Sequence, residues 1–166
     1  TPMKRILAVS VLALLFAVLL PFALPPAPAA SAQEESAPQS TWQPSRDKTV
    51  TLTVLTPDGK QNLSLHDYLV GVVAAEMPAK FEPEALKAQA VAARTYAMRS
   101  VVTGSKHADK NADVCTDPAC CQACSSDAEM HKNWGDDYAA NLDKITAAVT
   151  DTDGEYLVSG GTPILA

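Results

Sequence analysis

Ser64-Leu65-His66-Asp67-Tyr68-Leu69-Val70-Gly71-Val72-Val73-Ala74-Ala75-Glu76-Met77-Pro78 is the stretch whose reading decides the fold. Leu65, Tyr68, Leu69, Val72 and Val73 recur at steps of three and four, which predicts a helix over Leu65–Glu76 packed on a core. Ser64 precedes it, with Asp67 at the third helical position, a capping-box arrangement. Pro78 ends the helix, because a proline disfavours helical backbone at the residue before it. Glu76 is thereby left at a helix end, beside Met77 and Pro78, at the mouth of a tight loop.

Downstream, Pro83 opens a second helix. Proline is tolerated at a first helical position, and Glu84 suits the positive end of the helix dipole. Ala85 to Arg99 is rich in strong helix formers. Within it, Leu86, Ala90, Ala93 and Ala97 form a narrow stripe of mostly small residues that lets another backbone approach closely. Upstream, Thr49–Leu55 alternates, with Val50, Leu52 and Val54 on one side and threonines on the other, as a half-buried strand does. Asp58-Gly59 after Pro57 is a turn signal. Thr103–Trp134 is irregular, polar and cysteine-bearing. Asn141–Thr150 reads as a short helix with Leu142, Ile145 and Val149 on one face, stopped by Gly154. Glu155–Ser159 has the look of a strand start. The expectation is an α+β domain, small and mixed, built on a helix-loop-helix with a few strands. No repeats occur.

The chain has 166 residues, about one domain's worth. Thr1 and Pro2 precede a Met, and Lys4 and Arg5 form a short positive region. Ile6–Leu24 is strongly apolar, broken by Pro21. Two readings stand: an apolar helix that anchors the chain in a bilayer, or a signal peptide cleaved near Ala30-Ser31-Ala32. Either exports the rest of the chain, with Lys4 and Arg5 left inside. Residues 1–32 are therefore expected to be signal or anchor. Residues 33–47, rich in Pro, Ser, Gln and Glu, are expected to be a disordered linker. The folded domain is expected over residues 48–166.

Net charge is -6, no basic run is present and aromatics are sparse, so nothing points to a nucleic-acid surface. Four cysteines, Cys115, Cys120, Cys121 and Cys124, lie within ten residues. An exported chain can pair cysteines as disulfides. Clustering this tight reads better as a metal knot than as a framework joining distant segments. His66 and His131 read as ordinary core or surface histidines. Glu76 alone is weak evidence for a site, since a glutamate at a helix end is usually solvated. Even so, apolar neighbours favour the protonated form that a general acid needs.

Tyr68 to Pro78, followed by Phe81-Glu82-Pro83-Glu84-Ala85-Leu86-Lys87-Ala88-Gln89-Ala90-Val91-Ala92-Ala93-Arg94-Thr95-Tyr96-Ala97, closely resembles the core signature of the stage II sporulation protein D family, which includes amidase-enhancer proteins. Weaker similarity extends through Trp134-Gly135-Asp136 and Asn141-Leu142 to Gly154. The resemblance implies a membrane-anchored peptidoglycan lytic transglycosylase. It would cut the bond between N-acetylmuramic acid and N-acetylglucosamine during engulfment, alongside sporulation proteins P and M. The family's catalytic glutamate falls on Glu76. Lys87, Gln89, Arg94 and Tyr96, on the following helix, are candidate substrate contacts. Arg94 has a structural ion pair as its alternative. Glu82 and Glu84 read as helix-start charge.

His107, Cys115, Cys120 and Cys121 match that family's zinc-binding segment. Its usual pattern is His, Cys and an adjacent His-Cys pair, so Cys120 stands here where a histidine is common. Three cysteines and one histidine make a closed structural zinc site, which would pin a loop that lacks its own core. Cys124 is extra. It could replace His107 among the ligands, or form a disulfide. The rival to an enzyme is a non-catalytic amidase-enhancer-like protein that binds wall glycan. A third reading is a zinc-stabilised scaffold with an idle site. In the family the domain continues past the glycine-rich strand into a segment lining the glycan groove, so the domain is expected to be incomplete at Ala166.

Overall fold

The computed structural model of the chain describes residues 45–165. The apolar segment Ile6–Leu24, and with it the expected signal or anchor, lies outside the described residues. Among the described residues, no helix is long and apolar enough to cross a membrane.

The elements in order are α1 (Arg46–Thr49), β1 (Thr51–Thr56), β2 (Gly59–Ser64), α2 (Leu65–Glu76), α3 (Pro83–Thr103), β3 (Val114–Cys115), α4 (Asp127–Trp134), α5 (Tyr138–Asp151), β4 (Val158–Ser159) and β5 (Thr162–Pro163). Helices and short strands thus mix in one α+β domain. β1 pairs antiparallel with β2, from Thr51 opposite Ser64 to Thr56 opposite Gly59. On its other edge β1 pairs parallel with β3, Val54 opposite Val114 and Leu55 opposite Cys115. β4 and β5 form a separate two-stranded hairpin.

α2 has the bounds the sequence predicts. Ser64 Oγ accepts from Asp67 N at 3.0 Å, while the Asp67 carboxylate turns to His66 Nδ1 at 3.1 Å. Leu65, Leu69, Val72 and Val73 are buried, and α2, α3 and α5 pack on one another beneath β1. The α3 stripe does what small residues allow. Leu86, Ala90, Ala93 and Ala97 are all fully buried against neighbouring helices. Each large apolar side chain so buried contributes about 1.5–3 kcal/mol before entropy is counted.

Three elements were not legible as elements. β2 is polar and largely exposed, so it shows no alternation. It forms because the turn after Pro57 folds the chain back along β1. α4 lies inside the stretch expected to be irregular, yet its Ser126–Glu129 capping box is complete. α1 straddles the expected boundary between linker and domain at residue 48, and it takes Thr49 from the expected strand. There Ser45 Oγ, Arg46 N and Asp47 N all donate to the Asp153 carboxylate, and Asp47 is 1 % exposed. The folded domain therefore starts by Ser45, ahead of the boundary that composition suggests. α5 begins at Tyr138, three residues earlier than its apolar face announces, and of Glu155–Ser159 only Val158 and Ser159 pair as strand.

Candidate active site and metal centre

Glu76 is the last residue of α2, and its side chain is exposed. Its Oε1 accepts a hydrogen bond from Ala123 N at 3.0 Å. No second partner for the carboxylate occurs among the described residues, so one oxygen is fixed and the other is open. The donor belongs to the segment Cys120–Ser126, which has no core of its own. That segment is tied to α2 a second time, where Ser125 N donates to Gly71 O at 3.0 Å. Gly71 makes this approach possible. A Cβ there would stand 2.7 Å from Cys124 Sγ and 2.8 Å from Ser125 O, closer than real atoms come.

The same segment carries a ligand-type cluster. One donor atom each from His107, Cys115, Cys120 and Cys121 lies within 4.8 Å of every other. His107 Nε2 is 3.5 Å from both Cys120 Sγ and Cys121 Sγ. In a tetrahedral zinc site with bonds of about 2.0–2.3 Å, neighbouring donors sit roughly 3.5–3.8 Å apart. The nitrogen–sulfur spacing fits that figure, and all four cysteines are free thiols. The cluster could hold a metal ion.

Its positions are fixed from several sides. β3 carries Cys115 into the sheet, where Asp113 N donates to Thr53 O at 2.8 Å and the Asp113 carboxylate accepts from Thr53 N at 2.7 Å. Cys120 N and Cys121 N both donate to Asp117 O, closing a turn that presents the two thiols together. Cys124 is not part of the set. Its Sγ sits over Gly71 and reaches Tyr68 O at 3.8 Å, which removes both of its expected roles, replacement ligand and disulfide partner.

The thiols do not titrate alike. Burial pushes Cys115 up to about 12, and its hydrogen bond to Cys121 adds to the rise. Burial also works to raise Cys121. There, however, hydrogen bonds from the Tyr96 hydroxyl, from the Cys115 thiol and backbone and from His107 outweigh it and bring the thiol to about 7. A thiol that ionises readily inside a set of four soft donors is suited to a metal. Cys124, away from the set, is pushed up by burial, and by the Glu129 charge, to about 11.

The helix α3 divides the other predicted residues between two faces. Tyr96 faces the cysteine segment, where its hydroxyl donates to Cys120 O at 3.3 Å. Gln89, two turns earlier on the same face, is half-buried. Arg94 and Lys87 lie on the opposite face, toward the end of α5. Arg94 is completely buried. It holds the Asp47 carboxylate with Nε and Nη2 at 2.7–3.1 Å and donates further to Glu155 O and Val149 O. A guanidinium so enclosed cannot meet a substrate, so its expected role as a sugar contact is corrected to the structural ion pair. Lys87 Nζ is engaged by Glu84 and Asp151, each at 3.1 Å. His66 is buried between Asp67 and Thr150, and His131 stacks on Tyr138.

A groove of about 790 Å³ runs between α2, the β1–β2 turn and the segment Cys124–Glu129. Its walls include His66, Asp67, Val70, Gly71, Ser125 and Asp127. Glu76 is not among them. It is bonded instead to Ala123, the residue before the lining Cys124.

A family model described as "Stage II sporulation protein" matches residues 58–158. Stage II sporulation protein D of Bacillus amyloliquefaciens and that of Bacillus subtilis are each 45% identical over 106 residues, 64% of this chain and 31% of theirs. An uncharacterised protein of Brachyspira hyodysenteriae is 52% identical over 48 residues, 29% of this chain and 12% of that one. The chain spans about a third of the length of the Bacillus relatives. The matched residues run from the β1–β2 turn to β4, taking in Glu76, both faces of α3 and all four cluster residues; the chain belongs to the stage II sporulation protein D family.

Proposed function

We propose that the protein acts in sporulation as a peptidoglycan lytic transglycosylase, with Glu76 as its acid and base. The observation that carries this reading is the Glu76 carboxylate, held on one oxygen by Ala123 N–H with the other oxygen unpartnered among the described residues. Most glycosidases need two carboxylates, one to donate a proton and one to supply or activate a nucleophile. A transglycosylase can work with one. Glu76 in its acid form protonates the oxygen leaving C1 of N-acetylmuramic acid, and the C1–O bond breaks. The resulting carboxylate accepts the proton of the same sugar's 6-hydroxyl as that oxygen bonds to C1. The product is a 1,6-anhydro ring, no water is consumed, and Glu76 ends as it began. Neither Glu82 nor Glu84 is needed.

His107, Cys115, Cys120 and Cys121 would hold zinc in a structural role. The ion would supply no chemistry to the sugar; it would cross-link a segment without a core. What this chain's own residues then do is hold Ala123 N–H against Glu76. Sporulation proteins P and M, and a membrane reached through residues 1–32, belong to the same proposal and rest on family resemblance.

One observation favours the second reading, a wall-binding protein of the amidase-enhancer kind: Glu76 is exposed and does not line the groove beside α2. The products separate the two. Purified glycan strands incubated with the complete protein should yield fragments ending in 1,6-anhydro-N-acetylmuramic acid by mass spectrometry. Reducing ends in their place would mean a hydrolase, and intact strands would mean a binder.

A further inference from the structure

Lys106 and Tyr96 stand against the cysteine cluster without belonging to it. Lys106 Nζ donates to Cys120 O at 2.9 Å and to the Tyr96 hydroxyl oxygen at 3.4 Å, and lies 5.7 Å from the centre of the Tyr96 ring. The Tyr96 hydroxyl donates its one proton to the same Cys120 O at 3.3 Å. The carbonyl of one cluster cysteine is thus held by two donors from outside the cluster, which fixes the backbone that carries its thiol.

Charge gives a second reason for the pair. Three thiolates and a neutral imidazole around a divalent ion leave the site with one negative charge. Metal sites depend on groups beyond their ligands to orient the donors and offset such charge, and losing one typically costs 10–100-fold in affinity. Lys106 immediately precedes the ligand His107 and is the cation in contact with the backbone of the ligand Cys120.

We propose that Tyr96 and Lys106 are positioning residues of the metal centre, both by donating to the carbonyl of the ligand Cys120 and Lys106 also by offsetting the charge of the site. This rests on the reading of the four-residue cluster as a zinc site, and the experiment separates the two. Zinc affinity is measured by competition with a chromophoric chelator for the wild-type chain, Tyr96→Phe, Lys106→Gln, Lys106→Arg and, as control, Lys132→Gln. Tyr96→Phe should weaken zinc binding by about tenfold or more. Lys106→Gln should weaken it by roughly several-fold, most clearly at low salt, where an exposed charge is least screened. Lys106→Arg should recover most of that loss, and Lys132→Gln should match wild type. With cobalt in place of zinc, the thiolate-to-metal absorption band should shift in Tyr96→Phe, a change that a purely structural tyrosine would not cause. Tight binding by wild type together with unchanged affinity in both Tyr96→Phe and Lys106→Gln overturns the inference alone. A wild-type chain that does not bind zinc overturns the metal reading and the inference with it.

Discussion

The two faces of α3 are closed in opposite ways. On one, Arg94 reaches Asp47, nearly fifty residues away in sequence, and both side chains are sealed from water. On the other, Tyr96 meets a segment of thiols and a histidine through the Cys120 carbonyl. The first face is complete within the polypeptide. The second presents an arrangement of donors that could hold a metal ion. Arginine and tyrosine are both candidates for touching a sugar when read along the helix, but the partner across the interior decides what each can do.

The largest way to test that contrast is to open the closed face. Arg94→Ala leaves the Asp47 carboxylate buried and uncompensated, and should cost about 3–5 kcal/mol in urea unfolding. A cost under about 1 kcal/mol would show that the pair is not what closes this face.

The second face is loosened by Gly71→Ala. The added methyl has nowhere to go between Cys124 Sγ and Ser125 O. About 1–3 kcal/mol should be lost. Amide exchange should rise along Cys120–Ser126 while the Arg94–Asp47 region stays protected. Equal loosening on both sides would mean the faces are not independent.

The smallest effect sharpens the closed face by pH. Burial alone would raise the Asp153 pKa; hydrogen bonds from Asp47 N, Ser45 Oγ and Arg46 N and the charge of Arg94 outweigh it and hold it below the ordinary 3.8. A depressed folded value stabilises the protein fully above 3.8, and the contribution fades as pH falls through the folded value. Asp153→Asn should therefore cost about 1 kcal/mol at neutral pH, allowing for solvent screening. The gap from wild type should close as unfolding is measured at steps below pH 4. A gap that persists into strong acid would assign the effect to packing.

Much of this was visible in the residues. α2 was legible end to end because Ser64, the apolar period and Pro78 all agree on its limits. α3 was legible from Pro83 and its alanine stripe. α4 is not legible although Ser126-Asp127-Ala128-Glu129 spells a capping box, because the polar, cysteine-bearing stretch before it carries no apolar period. β2 carries no period to read, since neither face of Lys60–Asn62 is buried. Asp47 sits in a polar stretch whose composition resembles linker, and only its distant pairing with Arg94 makes it core. In the site, family resemblance singled out Glu76 and the His107, Cys115, Cys120 and Cys121 set. The hydrogen bond from Ala123 to Glu76 had no local signal, because a backbone N–H is the same in every sequence and only folding brings it there.

The central claim is that Glu76 gives a proton to the leaving sugar oxygen and takes one back. The most direct measurement is the rate of anhydro-sugar release from purified glycan strands by the complete protein, wild type against Glu76→Gln. The amide keeps the shape and the bond from Ala123 but has no acid proton to give. The account predicts a fall of at least about 10²-fold, the usual worth of a general acid, with folding and zinc binding unchanged. Release at the wild-type rate by Glu76→Gln would contradict it.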